Sequence, residues 1–186
     1  MAGSPDVAST RTTVKLKRMK RALHTVARMA ILLLAVSPLI SQPRIDTREI
    51  ERRIFEEVNR VRRAEGLGHL EWNERLAQEA RRHAQNMVAG KFFSHHDPVR
   101  GDLDERLNAS HIQWWNCSEN LFYERGHQDP VPMAVRNWLA SPGHRKNMLD
   151  KAMTETGVGV AIEGADSVYI VQQFIRPPDA PPSKSR

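Results

Sequence analysis

The chain of 186 residues has little cysteine, no long apolar run and, over most of its length, no excess of charge. Its one cysteine, Cys117, excludes an intramolecular disulfide and any cysteine-rich metal knuckle. A folded domain here must therefore be held by its core alone. The longest uncharged apolar run, Met29–Ile40 (MAILLLAVSPLI), is interrupted by Pro38. A bilayer-spanning helix needs about 20 such residues, and this run is shorter. The formal charge of +6 invites a nucleic-acid or membrane-surface reading, but all of it lies in residues 1–42. Residues 43–186 balance 21 Lys and Arg against 21 Asp and Glu, so a basic nucleic-acid groove is disfavoured there. There is no internal repeat and no G-x-S-x-G nucleophile elbow.

What is present begins with an address. Lys15, Lys17, Arg18, Lys20, Arg21 and Arg28 precede the short apolar run, the layout of a secretory signal peptide. Residues 1–42 are thus expected to be a basic segment plus a signal peptide, or an anchor if uncleaved. Membrane contact would then be confined to residues 29–40. A secreted or periplasmic location follows, with membrane anchoring as the alternative. Residues 46–176 have the size of one ordinary domain. Residues 177–186 hold four prolines and read as a disordered tail.

Within the domain, Asp46 is an N-cap with Glu49 three residues on as a capping box. Ile50, Ile54, Val58 and Val61 then recur at helical spacing until Gly66. A second helix follows Asn73 and ends at Gly90, with Leu76, Ala80, His83, Ala84 and Met87 on one stripe. Asp102 and Glu105 form a further box ahead of a short helix over Leu103–Leu107. Pro130–Ala140 is helical, and Ser141-Pro142 is an N-cap and N1 pair opening a turn through Leu149. Val158–Ile162 and Val168–Phe174 read as a hairpin around Gly164, with Ile112–Leu121 as a further strand. Helices first and a hairpin last predict an α+β fold with an antiparallel sheet covered by helices.

Four segments concentrate polar residues that a plain scaffold does not require: Phe92–Pro98 (FFSHHDP), Cys117–Leu121 (CSENL), Trp138–Leu149 (WLASPGHRKNML), and Gly157–Val160 (GVGV) with Val171–Phe174 (VQQF). In this order, and with Val58–Arg62 (VNRVR) and Leu70–Met87 (LEWNERLAQEARRHAQNM), the chain resembles the CAP superfamily of cysteine-rich secretory proteins, antigen 5 and pathogenesis-related 1. It is most similar to the compact bacterial branch without disulfides. The resemblance implies a three-layer α-β-α sandwich with a central antiparallel sheet. It also implies a cleft where two His and two Glu hold a divalent metal. Carried over residue by residue, the histidines fall on His95 and His144 and one glutamate on Glu119, with Ser118 where glycine is usual. The second glutamate falls on Ser141, so the set is one carboxylate short and weak binding of Zn²⁺ or another divalent cation is expected.

Two imidazoles and one carboxylate are a legitimate ligand set for catalytic zinc, with water in the fourth position. Such a metal lowers the pKa of its water and could hydrolyse an ester or amide. That chemistry also wants a base, and the sequence names none: Asp97 and Glu124 are near the ligands in sequence but unplaced. Glu119 serves equally well as a structural carboxylate. His83 reads as a core histidine, His96 as solvent-facing, and Asn120, Arg145 and Asn147 as scaffold hydrogen-bonders. No acid is placed to orient a Ser–His pair. Of Trp114 and Trp115, one is expected in the core and the other exposed. Cys117 reads as a small buried hydrophobe or an interchain thiol. Three functions are carried forward, in this order. The first is an exported binding module for a lipid, sterol-like or glycan ligand, with His95, Glu119 and His144 lining the cleft beside Ser141 and Asn120. The second is a metal-assisted hydrolase using the same cleft, and the third a purely structural interaction domain.

Overall fold

The computed structural model describes residues 46–126 and 129–178. The expected leader (1–42) and all but the first two residues of the tail lie outside them. Helix α1 spans Thr47–Ala64, strand β1 Glu71–Trp72, α2 Glu74–Gly90, α3 Leu103–Ala109 and β2 Asn116–Arg125. Helices α4 (Pro130–Ala140) and α5 (Pro142–Leu149) follow, then β3 (Glu155–Glu163) and β4 (Ser167–Arg176). Among the described residues no helix is long and apolar enough to cross a membrane.

The sheet order is β1-β3-β4-β2. The three long strands are antiparallel, as the hairpin pattern predicts, with Val160 opposite Ile170 and Phe122 opposite the same residue. Strand β1 adds two residues in parallel with β3, Glu71 against Glu155 and Trp72 against Thr156. That pairing makes the sheet mixed, and two residues are too few to show a period in sequence. The expected strand at Ile112–Leu121 instead begins at Asn116, because its start is set by pairing with β4, where Asn116 meets Arg176.

Alternation along the strands sorts the core into two layers. On one face Phe122, Val158, Val160, Ile170 and Phe174 meet Ile50, Ile54 and Val58 of α1 and Trp138 of α4. On the other, Leu121, Ala161 and Val171 meet Ala80, Ala84 and Met87 of α2. Strand β4 is buried on both faces, hence its apolar residues on both sides of the Gln172-Gln173 pair. The glycines of β3 let α2 lie directly on the sheet. A Cβ at Gly157 would stand 2.2 Å from the Ala77 backbone nitrogen, and one at Gly159 2.0 Å from that of Arg81.

The helix starts follow their caps. Asp46 accepts from the backbone N–H groups of Arg48 and Glu49, and Asn73 from Leu76. Glu49 turns away from the expected box to bind Arg52 at 2.9 Å. The Asp102–Glu105 box forms, and α3 runs two residues past its expected end. Arg62, fully buried at the end of α1, donates to the carbonyls of Gly68, Met148 and Asp150 and so ties α5 to α1.

Candidate functional site

The site forms where the loop after α2 reaches the edge strand β2. Helix α2 presents Glu79, His83 and Asn86 at helical spacing, and each grips that loop. Arg100 forks onto Glu79 at 2.6 and 3.0 Å, the His83 Nε2–H donates to the Ser94 carbonyl at 2.9 Å, and Asn86 donates to Asp97 at 2.7 Å. Asp97 also accepts from the N–H groups of Val99 and Arg100. Burial pushes the Asp97 carboxyl up, but these donors outweigh it and hold it at about 2. Burial also pushes His83 below the ordinary imidazole value, so it is neutral, and its Nδ1 faces Asp97 at 3.7 Å without a hydrogen bond.

So anchored, the loop places His95 against Glu119. The His95 Nδ1–H donates to Glu119 Oε1 at 2.9 Å, since an ionised carboxylate can only accept. Glu119 is buried on β2 and receives two more donors. Arg106 of α3 reaches both its oxygens with Nη2, at 3.1 and 3.0 Å, and Gln173 of β4 donates to Oε2 at 2.9 Å. Burial pushes the Glu119 carboxyl up; the bonds and charges of His95, Arg106 and Gln173 overcome this and keep it ionised. Arg106 is fully buried, and the same Nη2 donates to the His95 carbonyl at 3.1 Å. The expectation that no acid orients a histidine is therefore corrected: Glu119 does so across 24 residues of chain.

His144 approaches the same strand on α5. Asn120 donates to the His144 carbonyl at 3.1 Å, and Asn147 donates to the Glu119 carbonyl and to the Asn120 side chain. Asn120 and Asn147 thus hold α5 on the strand edge, beside Trp138, whose indole N–H donates to the Leu121 carbonyl at 2.9 Å. The His144 imidazole is half-buried, and burial is the main cause that pushes it below its ordinary value, with the neighbouring His95 imidazole acting in the same direction. Ser141 sits at the N-cap of α5 and acts through its carbonyl, which accepts from the Arg145 N–H at 2.8 Å, not through its hydroxyl. His96 faces solvent and pairs with Asp102. Trp114 packs in a small apolar cluster while Trp115 is exposed. Burial pushes the Cys117 thiol up to about 11, which removes it as a nucleophile at neutral pH. Glu124 lies on the opposite face of β2 from Glu119.

Both Glu119 oxygens are engaged by a guanidinium, an amide and an imidazole, and the His95 nitrogen nearest the carboxylate carries a proton. Among the described residues, no group of three or more His, Cys, Asp or Glu side chains is arranged to hold a metal ion. Two participants had only partial signals in sequence. Arg106 is a cation on the apolar stripe of a short helix, beside Leu103 and Leu107, and Gln173 is a polar break in a buried strand.

Known proteins share this framework. The cysteine-rich secretory protein family, CAP, matches residues 55–174. The chain belongs to this family. Its CAP domain is 36% identical over 126 residues to the uncharacterized membrane protein YlbC of Bacillus subtilis, covering 68% of this chain and 34% of that protein. It is 33% identical over 125 residues to the uncharacterized protein YkwD of the same organism, covering 67% and 46%. The crystal structure of an extracellular protein containing an SCP domain from Bacillus anthracis matches with a TM-score of 0.62 at 31% identity, over 70% of this chain and 41% of that one. The chain spans less than half the length of each of these three relatives. The α-β-α sandwich expected from the resemblance is the architecture of this CAP domain.

Proposed function

We propose that the chain is an extracytoplasmic CAP-domain binding module whose cleft, between His95 and His144 at the edge of β2, recognises an envelope ligand without a resident metal. The observation that carries this reading is the saturation of Glu119. With Arg106, Gln173 and His95 all donating to it, the carboxylate is neither a free metal ligand nor a free base. It is a fixed acceptor that holds one imidazole in place, and the His95 side chain is 57% exposed. Extracytoplasmic placement is supported by the basic and apolar leader, by the extracellular Bacillus anthracis relative and by the membrane protein YlbC. In this reading a divalent cation meets the imidazoles alone, and weakly.

A second reading, a hydrolase, is favoured by one observation. A carboxylate-held Nδ1–H leaves the His95 Nε2 lone pair directed away from Glu119, the arrangement by which an imidazole becomes a general base. The full chain should be titrated with Zn²⁺ by calorimetry beside Glu119→Gln and a His95→Ala/His144→Ala double variant. It should also be assayed on ester and muropeptide substrates with and without chelator. The binding-module reading expects no turnover and a weak zinc affinity that Glu119→Gln leaves unchanged. Turnover abolished by His95→Ala would establish the hydrolase instead.

A further inference from the structure

The sheet face that carries Glu119 continues past Leu121 to Tyr123, roughly 13 Å along β2 at 3.3 Å per residue. There the chain builds an arrangement that neither the cleft nor the core uses. Tyr123 stands directly opposite Tyr169 of β4, ring centroids 4.8 Å apart and tilted by 55°. Phe93 joins them at 6.0 Å from Tyr123 and 6.3 Å from Tyr169. It gets there because Lys91 ends α2 in the left-handed region, φ 54°, after which Phe92 turns inward and Phe93 outward. Tyr169 is buried at 7% exposure and pinned by its hydroxyl, which donates to Glu163 at 2.9 Å. Phe93 and Tyr123, by contrast, are 50% and 41% exposed. One locked ring thus supports two open ones.

Three features decide what such a surface fits. Two half-exposed rings offer roughly 200 Å², far below the 800 Å² or so per partner of a stable protein interface. The adjacent charges are paired, Lys91 with Glu163, which leaves no cationic cluster for an anionic lipid surface or polyanion. A depression of about 590 Å³ elsewhere on the domain is lined by Arg53, Glu56, Arg60 and other charged side chains, so it does not suit an acyl chain or sterol. Exposed aromatic faces beside a rim whose charges are paired and hydrogen-bonding match the C–H faces and hydroxyls of an uncharged sugar. We infer that Phe93 and Tyr123, backed by Tyr169, form a stacking platform for an uncharged saccharide next to the His95 cleft. This deepens the binding-module reading and rests on it.

The test uses the full chain with chitohexaose and cellohexaose as uncharged probes, followed by calorimetry and by ring-proton chemical shifts. Binding of at least one probe is expected, with shifts at Phe93 and Tyr123. Phe93→Ala and Tyr123→Ala should each weaken it about tenfold, as expected for one aromatic contact. Trp115→Ala, at an exposed aromatic outside the cluster and the cleft, should change it less than twofold. Both platform substitutions are at exposed positions, and an unchanged melting temperature verifies the fold. No binding of either probe at millimolar concentration overturns the platform, as does binding that ignores both platform substitutions. If saccharide binding is lost in the cleft double variant but not in the platform variants, the platform fails while the binding module stands. Loss in Phe93→Ala of association with phosphatidylglycerol vesicles, or of concentration-dependent self-association, would reassign the surface to a membrane or to a second copy.

Discussion

Two buried carboxylates sit at the two sides of the sheet, and each is met by an arginine. Glu51 of α1 lies beside β3, where Arg81 of α2 forks onto it at 2.8 to 3.0 Å and the Val160 N–H donates to it at 3.3 Å. Glu119 lies on β2 with Arg106. Both carboxylates are almost wholly buried beside an arginine, yet burial lifts the Glu51 carboxyl to about 7 while Glu119 is held below its ordinary value. Burial and an arginine do not by themselves fix a carboxylate's state. The remaining partners do. Glu51 is completed by Arg48 and a strand amide and clasps α1 to α2. Glu119 is completed by an imidazole that opens to solvent and shares the strand edge with a second one, His144. A buried ion pair is by itself weak evidence of function. An exposed titratable group hung on such a pair is stronger evidence.

The contrast can be broken most forcefully at Arg106. Arg106→Met leaves Glu119 buried without its cation and should cost about 3–5 kcal/mol in urea unfolding. Arg106→Met/Glu119→Met should recover most of that loss, because the desolvated charge is gone. A smaller effect, about 1–3 kcal/mol, is expected for Glu51→Gln. Arg81 remains partly solvated and keeps Glu74 at 2.7 Å, so its charge is not stranded. A double variant of Glu51 and Glu119 should be near additive, since the two sites share no partner.

Acid sharpens the comparison through the loop that only the Glu119 side possesses. The folded carboxyl of Asp97 lies at about 2 against an ordinary 3.8, so its contribution is complete above about pH 4 and is lost as pH falls toward 2. Asp97→Asn should therefore be less stable than the parent at pH 7, with the gap closing between about pH 4 and 2 in thermal melts. His83 and His144 are depressed below the ordinary 6.5, so protonation favours the unfolded chain and stability declines as pH drops below that value. His144→Gln should make this decline shallower. His95→Ala takes one donor from the buried Glu119 carboxylate and should cost about 1 kcal/mol in the same melts, while altering ligand binding.

Much of this architecture was legible in the sequence. Asp46, Asn73 and Asp102 mark helix starts by local chemistry, and the periods of Ile50–Val61 and Val158–Ile162 identify a helix and a strand. The order of the four polar segments pointed to the family and to His95, Glu119 and His144. What failed was whatever depends on a distant partner. Strand β2 begins four residues later than its composition suggests, because β4 sets its register. Strand β1 exists only through its pairing with β3. The donors that reach the Glu119 oxygens, Arg106 and Gln173, come from other elements and leave no local signal beside it.

The sequence by itself determined the helices and the terminal hairpin, the family and the electroneutrality of residues 43–186, since these follow from short-range periodicity, capping and composition. The tertiary structure decided what Glu119 does, that His95 is held by it, and that Phe93, Tyr123 and Tyr169 meet. The reason is physical. A carboxylate's role is fixed by which donors reach its oxygens, and here Arg106 and Gln173 arrive from 13 and 54 residues away. No local pattern encodes such a meeting; only the folded chain brings it about.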